Sequence, residues 1–111
     1  TRGLIGAAEF SRMQPGAILA DVSRGGVVDG DALLAALRNG PLGAAVLDVF
    51  ETEPLPAASP LWDAENALIS PHCSAVHAGW DDASFEIFLD NLDRFVQGAP
   101  LRNVVDPARG Y

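Results

Sequence analysis

Three short apolar runs, separated by helix and loop signals, constrain the fold of this 111-residue chain more than any other feature. They occupy residues 17–22, 44–49 and 67–70 and are nearly continuously apolar instead of alternating. Strands that are buried on both faces have this pattern, which is typical of parallel sheets covered by helices. Strand–helix–strand order implies right-handed βαβ units, so the sequence predicts an α/β fold built on a parallel sheet.

Helix signals flank the predicted strands. Residues 5–13 predict a short helix, and Asp29 offers an N-cap for a second helix that ends at Gly40. A third, long helix is predicted over residues 81–97, because apolar side chains recur on one face of a 3.6-residue repeat. These side chains are Phe85, Phe88, Leu89, Leu92, Phe95 and Val96. Residues 50–65 contain three prolines and several apolar side chains, and they predict an ordered loop.

Composition argues against several classes of function. The net charge of −8 disfavours nucleic acid, whose affinity depends on phosphate neutralisation. No run approaches the ~18 apolar residues of a membrane helix, so we expect no membrane partner. The only cysteine, Cys73, cannot form an internal disulfide and fits a reducing, cytoplasmic setting. Two histidines without a cysteine cluster argue against a metal site.

Polar side chains stand at or after the end of each predicted strand. Arg24 follows the first run, Asp48 and Glu53 accompany the second, and His72 follows the third. The carboxyl ends of parallel strands meet at one edge of a sheet, so we expect these side chains to lie close together. Arginine presents two parallel N–H donors to a carboxylate, and a carboxylate beside an imidazole favours its protonated form. The sequence therefore predicts a site that binds a small carboxylate and transfers a proton to a neighbouring oxygen.

Spacing alone leaves several assignments open. Glu51 competes with Glu53 as the carboxylate beside His72. Asp48 is either a functional contact or a buried hydrogen-bond acceptor, because an acid that ends so apolar a strand needs a partner. We expect Cys73 to be a small packing residue. Adjacent residues on an extended backbone point to opposite faces, so His72 would not activate the thiol.

The motifs that contain these residues resemble those of the D-isomer-specific 2-hydroxyacid dehydrogenases, and the resemblance covers nearly the whole chain. Residues 20–29 (ADVSRGGVVD) resemble the arginine signature of that family, with Asp21 where asparagine is usual. Residues 43–56 (GAAVLDVFETEPLP) are the most specific stretch. The shorter matches are residues 1–6, 59–62, 69–72 and 91–105.

The resemblance implies a role for each candidate. Arg24 would bind the substrate carboxylate and polarise the 2-oxo group, and His72 would exchange a proton with the 2-oxygen. Glu53, and not Glu51, would orient His72 and favour its protonated form. Asp48 would contact the nicotinamide end of NAD(H) or NADP(H). The expected cofactor-binding residues are Val22, Ser23, Arg24, Asp48, His72, Ser74 and Ala75.

The resemblance also implies a partial Rossmann-type parallel sheet plus a C-terminal helix. Residues 1–75 would be the C-terminal half of a dinucleotide-binding domain, and residues 76–111 a helix and tail that pack on the catalytic domain in relatives. The sequence has no Gly-x-Gly-x-x-Gly motif, and we expect this phosphate loop to lie upstream of residue 1. An open sheet edge and an uncovered apolar face would then favour association, most simply as a homo-oligomer.

The expected function is that of an NAD(P)-dependent oxidoreductase which interconverts a small 2-oxo acid and its D-2-hydroxy acid. The first alternative is a non-catalytic fragment or assembly module that binds dinucleotide poorly on its own. The second is a dinucleotide-sensing module of the corepressor type, although the acidic charge disfavours DNA contact. The motifs leave open both the side chain of the acid and the choice between NAD and NADP.

Overall fold

The computed structural model describes residues 1–109. The chain divides into two compact units, Thr1–Ala75 and a second unit from Val76 onward. The first unit contains α1 (Ala7–Phe10), β1 (Ala17–Asp21), α2 (Gly30–Asn39), β2 (Leu42–Leu47) and β3 (Ala67–Ile69), and the second contains α3 (Trp80–Val96). No helix within residues 1–109 is long and apolar enough to cross a membrane.

The three strands form one parallel sheet in the order β1–β2–β3, which confirms the predicted α/β class and strand direction. Asp21 at the end of β1 pairs with Leu47 at the end of β2, and Leu47 pairs with Ile69 at the end of β3. All three strands therefore end at the same edge of the sheet. The loops that carry the predicted site leave from this edge.

A single apolar core stabilises the first unit. It consists of Phe10, Leu33, Ala36, Leu37, Leu42, Ala45, Leu47 and Leu61. Burial of one large apolar side chain contributes about 1.5–3 kcal/mol, so this cluster is the main source of stability for the unit. The opposite face of the sheet is open, because Ile18 and Leu68 are 70% and 66% exposed. This agrees with the expectation of an uncovered apolar face.

Element boundaries differ most from the prediction at α1 and β2, and by one residue at the ends of β1, β3 and α3. α1 is a single turn and does not extend over residues 5–13, because Ile5 pairs with Val28 in an isolated parallel bridge. β2 begins at Leu42 and ends at Leu47, so Asp48 is the first residue beyond the strand.

The predicted caps of α2 are confirmed. The Oδ1 atom of Asp29 accepts a hydrogen bond of 2.8 Å from the N–H of Ala32, as an N-cap does. Gly40 follows the helix with an extended backbone. A Cβ atom at Gly40 would lie 2.6 Å from the Cα of Ala36, so a close approach between backbones, and not a left-handed φ, requires glycine here.

α3 ends as its sequence predicts. Gly98 adopts a left-handed conformation (φ 68°), and the N–H of Ala99 bonds the carbonyl of Arg94 at 2.8 Å. This is the Schellman arrangement that closes many helices. The Oδ2 atom of Asp90 accepts from Arg94 within the helix at 3.0 Å and from Arg102 at 3.2 Å, and the second bond ties the following tail to the helix.

The apolar face of α3 is exposed. Its six predicted members have exposed fractions between 46% and 77%: Phe85, Phe88, Leu89, Leu92, Phe95 and Val96. In the described part of the chain, each residue of this 17-residue helix is at least partly exposed. The helix predicted from this periodicity is therefore confirmed, although its apolar face is exposed.

Candidate functional site

His72 and Glu53 form a hydrogen-bonded pair at the carboxyl edge of the sheet. The Nδ1 atom of His72 lies 2.7 Å from Oε2 of Glu53. An ionised carboxylate can only accept a hydrogen bond, so the contact places a proton on Nδ1 and leaves Nε2 for another partner. The two side chains are 43% and 35% exposed, and a ligand can therefore reach them.

The turn before Glu53 fixes its carboxylate. The second oxygen, Oε1, accepts a 2.8 Å hydrogen bond from the N–H of Phe50. The pKa of Glu53 is lowered from its ordinary value, first by the hydrogen bond from His72 and second by the bond from Phe50. Glu53 therefore stays ionised and holds the imidazole in one orientation.

Glu51 points to a different partner. Its Oε1 atom accepts from the Nη1 atom of Arg2, and both side chains are mostly exposed. The spacing of the two acids left open which one lies beside His72. The structure places Glu53 there.

Asp48 is buried, with 1% of its surface exposed. Its Oδ1 atom accepts from the hydroxyl of Ser70 at 2.6 Å and from the N–H of Cys73 at 2.9 Å. Its Oδ2 atom accepts from the N–H of Ser74 at 2.9 Å. These donors hold the pKa of Asp48 well below its usual range, and the Ser70 hydroxyl is the largest cause. Both carboxylate oxygens are thus engaged inside the protein.

The backbone around His72 differs from the expectation. His72 has a φ of 52°, in the left-handed region, which histidine tolerates better than most residues. The assumption of an extended backbone at residues 72–73 was therefore wrong. Cys73 is exposed and is not a packing residue, because the turn directs its N–H to Asp48 and its side chain outward.

Arg24 lies in the loop after β1. Its Nη1 atom donates a 2.7 Å bond to the carbonyl of Ser23, and the side chain is exposed. Asp21 fixes the start of the loop, since its Oδ1 atom accepts from the N–H and the hydroxyl of Ser23 at 3.0 and 2.6 Å. Among residues 1–109, no hydrogen bond or ion pair joins Arg24 directly to Glu53 or His72.

Gly25 joins the loop of Arg24 to the loop of Glu53. A Cβ atom at Gly25 would lie 1.9 Å from the carbonyl oxygen of Phe50 and 2.8 Å from the nitrogen of Glu51, so only glycine fits. Phe50 is also the residue whose N–H binds Glu53. The close approach therefore sets the spacing between the guanidinium loop and the carboxylate.

An open cavity of about 500 Å³ adjoins the His72–Glu53 pair, and this size is typical of pockets for small molecules. Its lining is mainly apolar and consists of Phe50, Glu53, Pro54, Leu55, Trp62, Ile69, Ser70, Pro71 and His72. The indole N–H of Trp62 donates to the carbonyl of Pro56 at 3.0 Å, so the ring adds apolar surface to the cavity.

Sequence reasoning missed two contributors to this geometry, Phe50 and Ser70, and it missed the residue that a third contributor, Gly25, contacts. Phe50 acts through its backbone N–H, for which a sequence carries no signal. Ser70 acts through its hydroxyl, and its place at a strand end beside Pro71 resembles an ordinary turn. Gly25 stood in the motif, but its contact with Phe50 depends on the tertiary structure. The predicted cofactor-side residues Val22, Ser74 and Ala75 are exposed in the loops after β1 and β3.

Comparisons with known proteins connect this geometry to a family. Residues 1–74 match the family model described as D-isomer specific 2-hydroxyacid dehydrogenase, NAD binding domain. The glyoxylate/hydroxypyruvate reductase B of Salmonella newport is 43% identical over 107 residues, which are 96% of this chain and 33% of the reductase. The chain thus spans about a third of the length of the curated relatives it matches.

Solved structures of 2-hydroxyacid dehydrogenases also match this chain. A D-isomer specific 2-hydroxyacid dehydrogenase from Xanthobacter autotrophicus Py2, in complex with NADPH and MES, matches all of this chain and 45% of its own, with a TM-score of 0.89 and 44% identity. An NADPH-dependent glyoxylate/hydroxypyruvate reductase from Sinorhizobium meliloti, in complex with NADP and sulfate, matches all of this chain and 36% of its own. Its TM-score is 0.87 and its identity 36%.

A substitution of Gly25 tests the contact between the two loops. Gly25→Ala should lower the free energy of unfolding by about 1–3 kcal/mol, because the methyl group meets backbone atoms that cannot move aside cheaply. The amide resonance of Phe50 should shift as its bond to Glu53 lengthens. Urea unfolding and NMR measure both effects. Gly30→Ala, where a Cβ meets nothing within 4 Å, is the control and should cause no loss.

The buried carboxylate of Asp48 predicts a pH dependence of stability. Its pKa is lower in the folded protein than the value of about 3.9 in an unfolded chain. The contribution of Asp48 to the free energy of unfolding is therefore complete above about pH 5. It is lost as the pH falls toward the pKa of the folded protein. Urea unfolding from pH 6 downward should show the loss.

The Ser70 hydroxyl supplies the variant for this experiment. Ser70→Ala should make the acid dependence less steep, since it removes the largest cause of the lowered pKa of Asp48. Cys73→Ala keeps the N–H that binds Asp48 and should match the parent. An equal slope in Ser70→Ala and the parent would contradict the assigned role of the hydroxyl.

Proposed function

The chain belongs to the D-isomer specific 2-hydroxyacid dehydrogenase family, and we propose that it forms the proton-transfer part of an NAD(P)-dependent oxidoreductase. The reaction interconverts a small 2-oxo acid and its D-2-hydroxy acid. The observation that carries the proposal is the 2.7 Å contact between His72 and Glu53 at the carboxyl edge of a parallel sheet. Relatives named as glyoxylate/hydroxypyruvate reductases support the same reaction class.

His72 is the proposed acid and base. Its Nε2 atom gives a proton to the 2-oxygen during reduction and takes it back during oxidation. Glu53 accepts from Nδ1, fixes the tautomer and stabilises the imidazolium. Because the pKa of Glu53 is lowered, its negative charge is present throughout the physiological range.

Arg24 is the proposed carboxylate-binding residue. One guanidinium nitrogen holds the carbonyl of Ser23, which steadies the side chain and leaves other donors for an anion. A chain with a net charge of −8 repels anions at long range, so a local cation is needed to bind one. The same guanidinium would polarise the 2-oxo group.

The proposed cofactor is NAD(H) or NADP(H), which supplies the hydride when bound. Ligands of open parallel sheets bind at the carboxyl edge, where all three strands of this sheet end. The residues proposed to line the nicotinamide end of the dinucleotide are exposed in the loops at this edge: Val22, Ser23, Ser74 and Ala75. The single cysteine supports a cytoplasmic setting for the reaction.

A graft tests the proposal. In a chimera, this chain is substituted for the matched 107 residues of the Salmonella newport reductase. The chimera should oxidise NADPH when glyoxylate or hydroxypyruvate is supplied as the substrate. His72→Asn accepts the left-handed backbone but cannot donate the proton, so kcat should fall about 10²–10⁴-fold. Arg24→Ala should mainly raise KM for the acid.

The two neighbouring acids supply a matched control for the graft. Glu53→Gln should lower kcat, whereas Glu51→Gln removes only the pair with Arg2 and should stay near the parent value. A folded chimera without activity, or full activity in His72→Asn, would refute the proposal.

A second candidate applies to the 111-residue chain alone: an assembly module that binds dinucleotide poorly. The observations that favour it are the exposed apolar face of α3 and the lack of a Gly-x-Gly-x-x-Gly motif in the sequence. Isothermal titration with NADH should then detect no micromolar binding. Clear micromolar affinity would exclude this candidate.

We also propose that the chain associates with itself through the apolar face of α3. Phe88→Asp places a charge in the centre of that face, so analytical ultracentrifugation should show a smaller species than for the parent. Ala83→Asp adds the same charge on the opposite side of the helix and is the matched control. An unchanged mass for Phe88→Asp, or an equal loss in both variants, would contradict association through this face.

A further inference from the structure

We propose that Asp21 is a positioning residue for Arg24, whose guanidinium it holds in place through Ser23. The proposal rests on the proposed function for the role of Arg24, which is to bind the carboxylate of the substrate. The three hydrogen bonds that carry the proposal lie within the chain and require no ligand.

Asp21 is anchored to the sheet. It is the last residue of β1, and it pairs with Leu47 at the end of β2. Its carbonyl oxygen accepts a hydrogen bond of 2.9 Å from the N–H of Asp48, and only 7% of its surface is exposed. A carboxylate in so buried a place is costly unless it accepts hydrogen bonds. The end of the strand therefore gives this carboxylate a fixed position.

Ser23 supplies two donors to this carboxylate. The Oδ1 atom of Asp21 accepts from the backbone N–H of Ser23 at 3.0 Å and from its hydroxyl at 2.6 Å. The first bond orients the peptide, and the second restricts rotation of the serine side chain. The carbonyl of Ser23 in turn accepts a 2.7 Å bond from Nη1 of Arg24. These three bonds form an unbroken series from the strand end to the guanidinium, and we call them the Asp21 connection.

The backbone of Arg24 is also restrained on its other side. Its carbonyl accepts from the N–H of Val27 at 3.3 Å, and Gly26 between them has a left-handed φ of 82°. Gly25 lies against the backbone of Phe50. The freedom that remains is therefore mainly that of the long Arg24 side chain, which the bond to Ser23 restricts.

This restriction matters because Arg24 is exposed. An arginine that binds an anion loses rotamer entropy, and a side chain already held in place loses less of it. Asp21 orients Ser23, and Ser23 holds the guanidinium, so the buried carboxylate sets the affinity for the acid without touching it. The alternative is an ordinary turn in which aspartate binds the N–H two residues later. That turn would stabilise the end of β1 and leave Arg24 unaffected.

The experiment measures the Arg24 guanidinium directly. The 111-residue protein has seven arginines, and the ¹⁵N side-chain signals of Arg24 are those that Arg24→Lys removes. At low temperature the bond to Ser23 should slow rotation of the guanidinium and separate its Nη resonances. In Asp21→Ala these resonances should merge into the averaged signal of a freely rotating group.

Two further variants separate the acceptor oxygen from the charge. Asp21→Asn keeps an acceptor oxygen for Ser23 and should retain the separated Arg24 signals. Asp31→Ala removes an exposed carboxylate from the first turn of α2 and is the matched control for the change in net charge. It should leave the Arg24 signals unchanged.

The graft adds a test that a general loss of stability would not satisfy. Asp21→Ala should raise KM for the acid about 3–10-fold, as the loss of a positioning hydrogen bond does, and Asp21→Asn should stay near the parent value. In the Arg24→Ala background, Asp21→Ala should cause no further rise, because the Asp21 connection acts only through the guanidinium.

Unchanged Arg24 signals in folded Asp21→Ala would overturn the proposal, as would an equal rise in KM with and without Arg24 or equal effects of Asp21→Asn and Asp21→Ala. If Asp21→Ala does not fold, Ser23→Ala decides. It removes the 2.6 Å bond from an exposed side chain and should shift the Arg24 signals part of the way, and unchanged signals would refute the role of Asp21. The spectra need no substrate, so an inactive graft would refute the proposed function alone.

Discussion

The buried carboxylate of Asp48 is the interaction on which the site depends. Asp48 directly follows β2, the central strand of the sheet, and binds three donors of the turn after β3. A charge in so buried a place costs free energy unless hydrogen bonds compensate it, and here each oxygen has at least one donor. These bonds therefore connect the turn that contains His72 to the end of the neighbouring strand β2.

A second constraint sets the position of the other charged groups. Gly25 lies so close to Phe50 that the loop after β1 packs directly against the loop after β2. Phe50 in turn fixes Glu53 through its N–H, and Glu53 fixes His72. Backbone contacts thus orient the imidazole and the carboxylate of the proposed reaction, while the guanidinium of Arg24 stays exposed for an anion.

Much of this arrangement could be predicted from the sequence. The features that could not be predicted have identifiable physical reasons. Local patterns predicted the strands and helices to within a few residues. These patterns are the apolar runs, the N-cap at Asp29 and the apolar face of α3. Parallel pairing then placed the loops at one edge. The pairing of Glu51 with Arg2 and the left-handed backbone of His72 depend on contacts between distant segments. No local pattern encodes such contacts, which is why the expectation for Cys73 was wrong.

The tautomer of His72 in the 111-residue chain tests the central claim most directly. Long-range ¹H–¹⁵N spectra at a pH where the ring is neutral should show the proton on Nδ1, bonded to Glu53, with Nε2 unprotonated and free for a substrate. Glu53→Ala should abolish this preference and leave the signals of His77 unchanged. A His72 ring protonated on Nε2 in the parent, or the same spectrum in both proteins, would contradict the account.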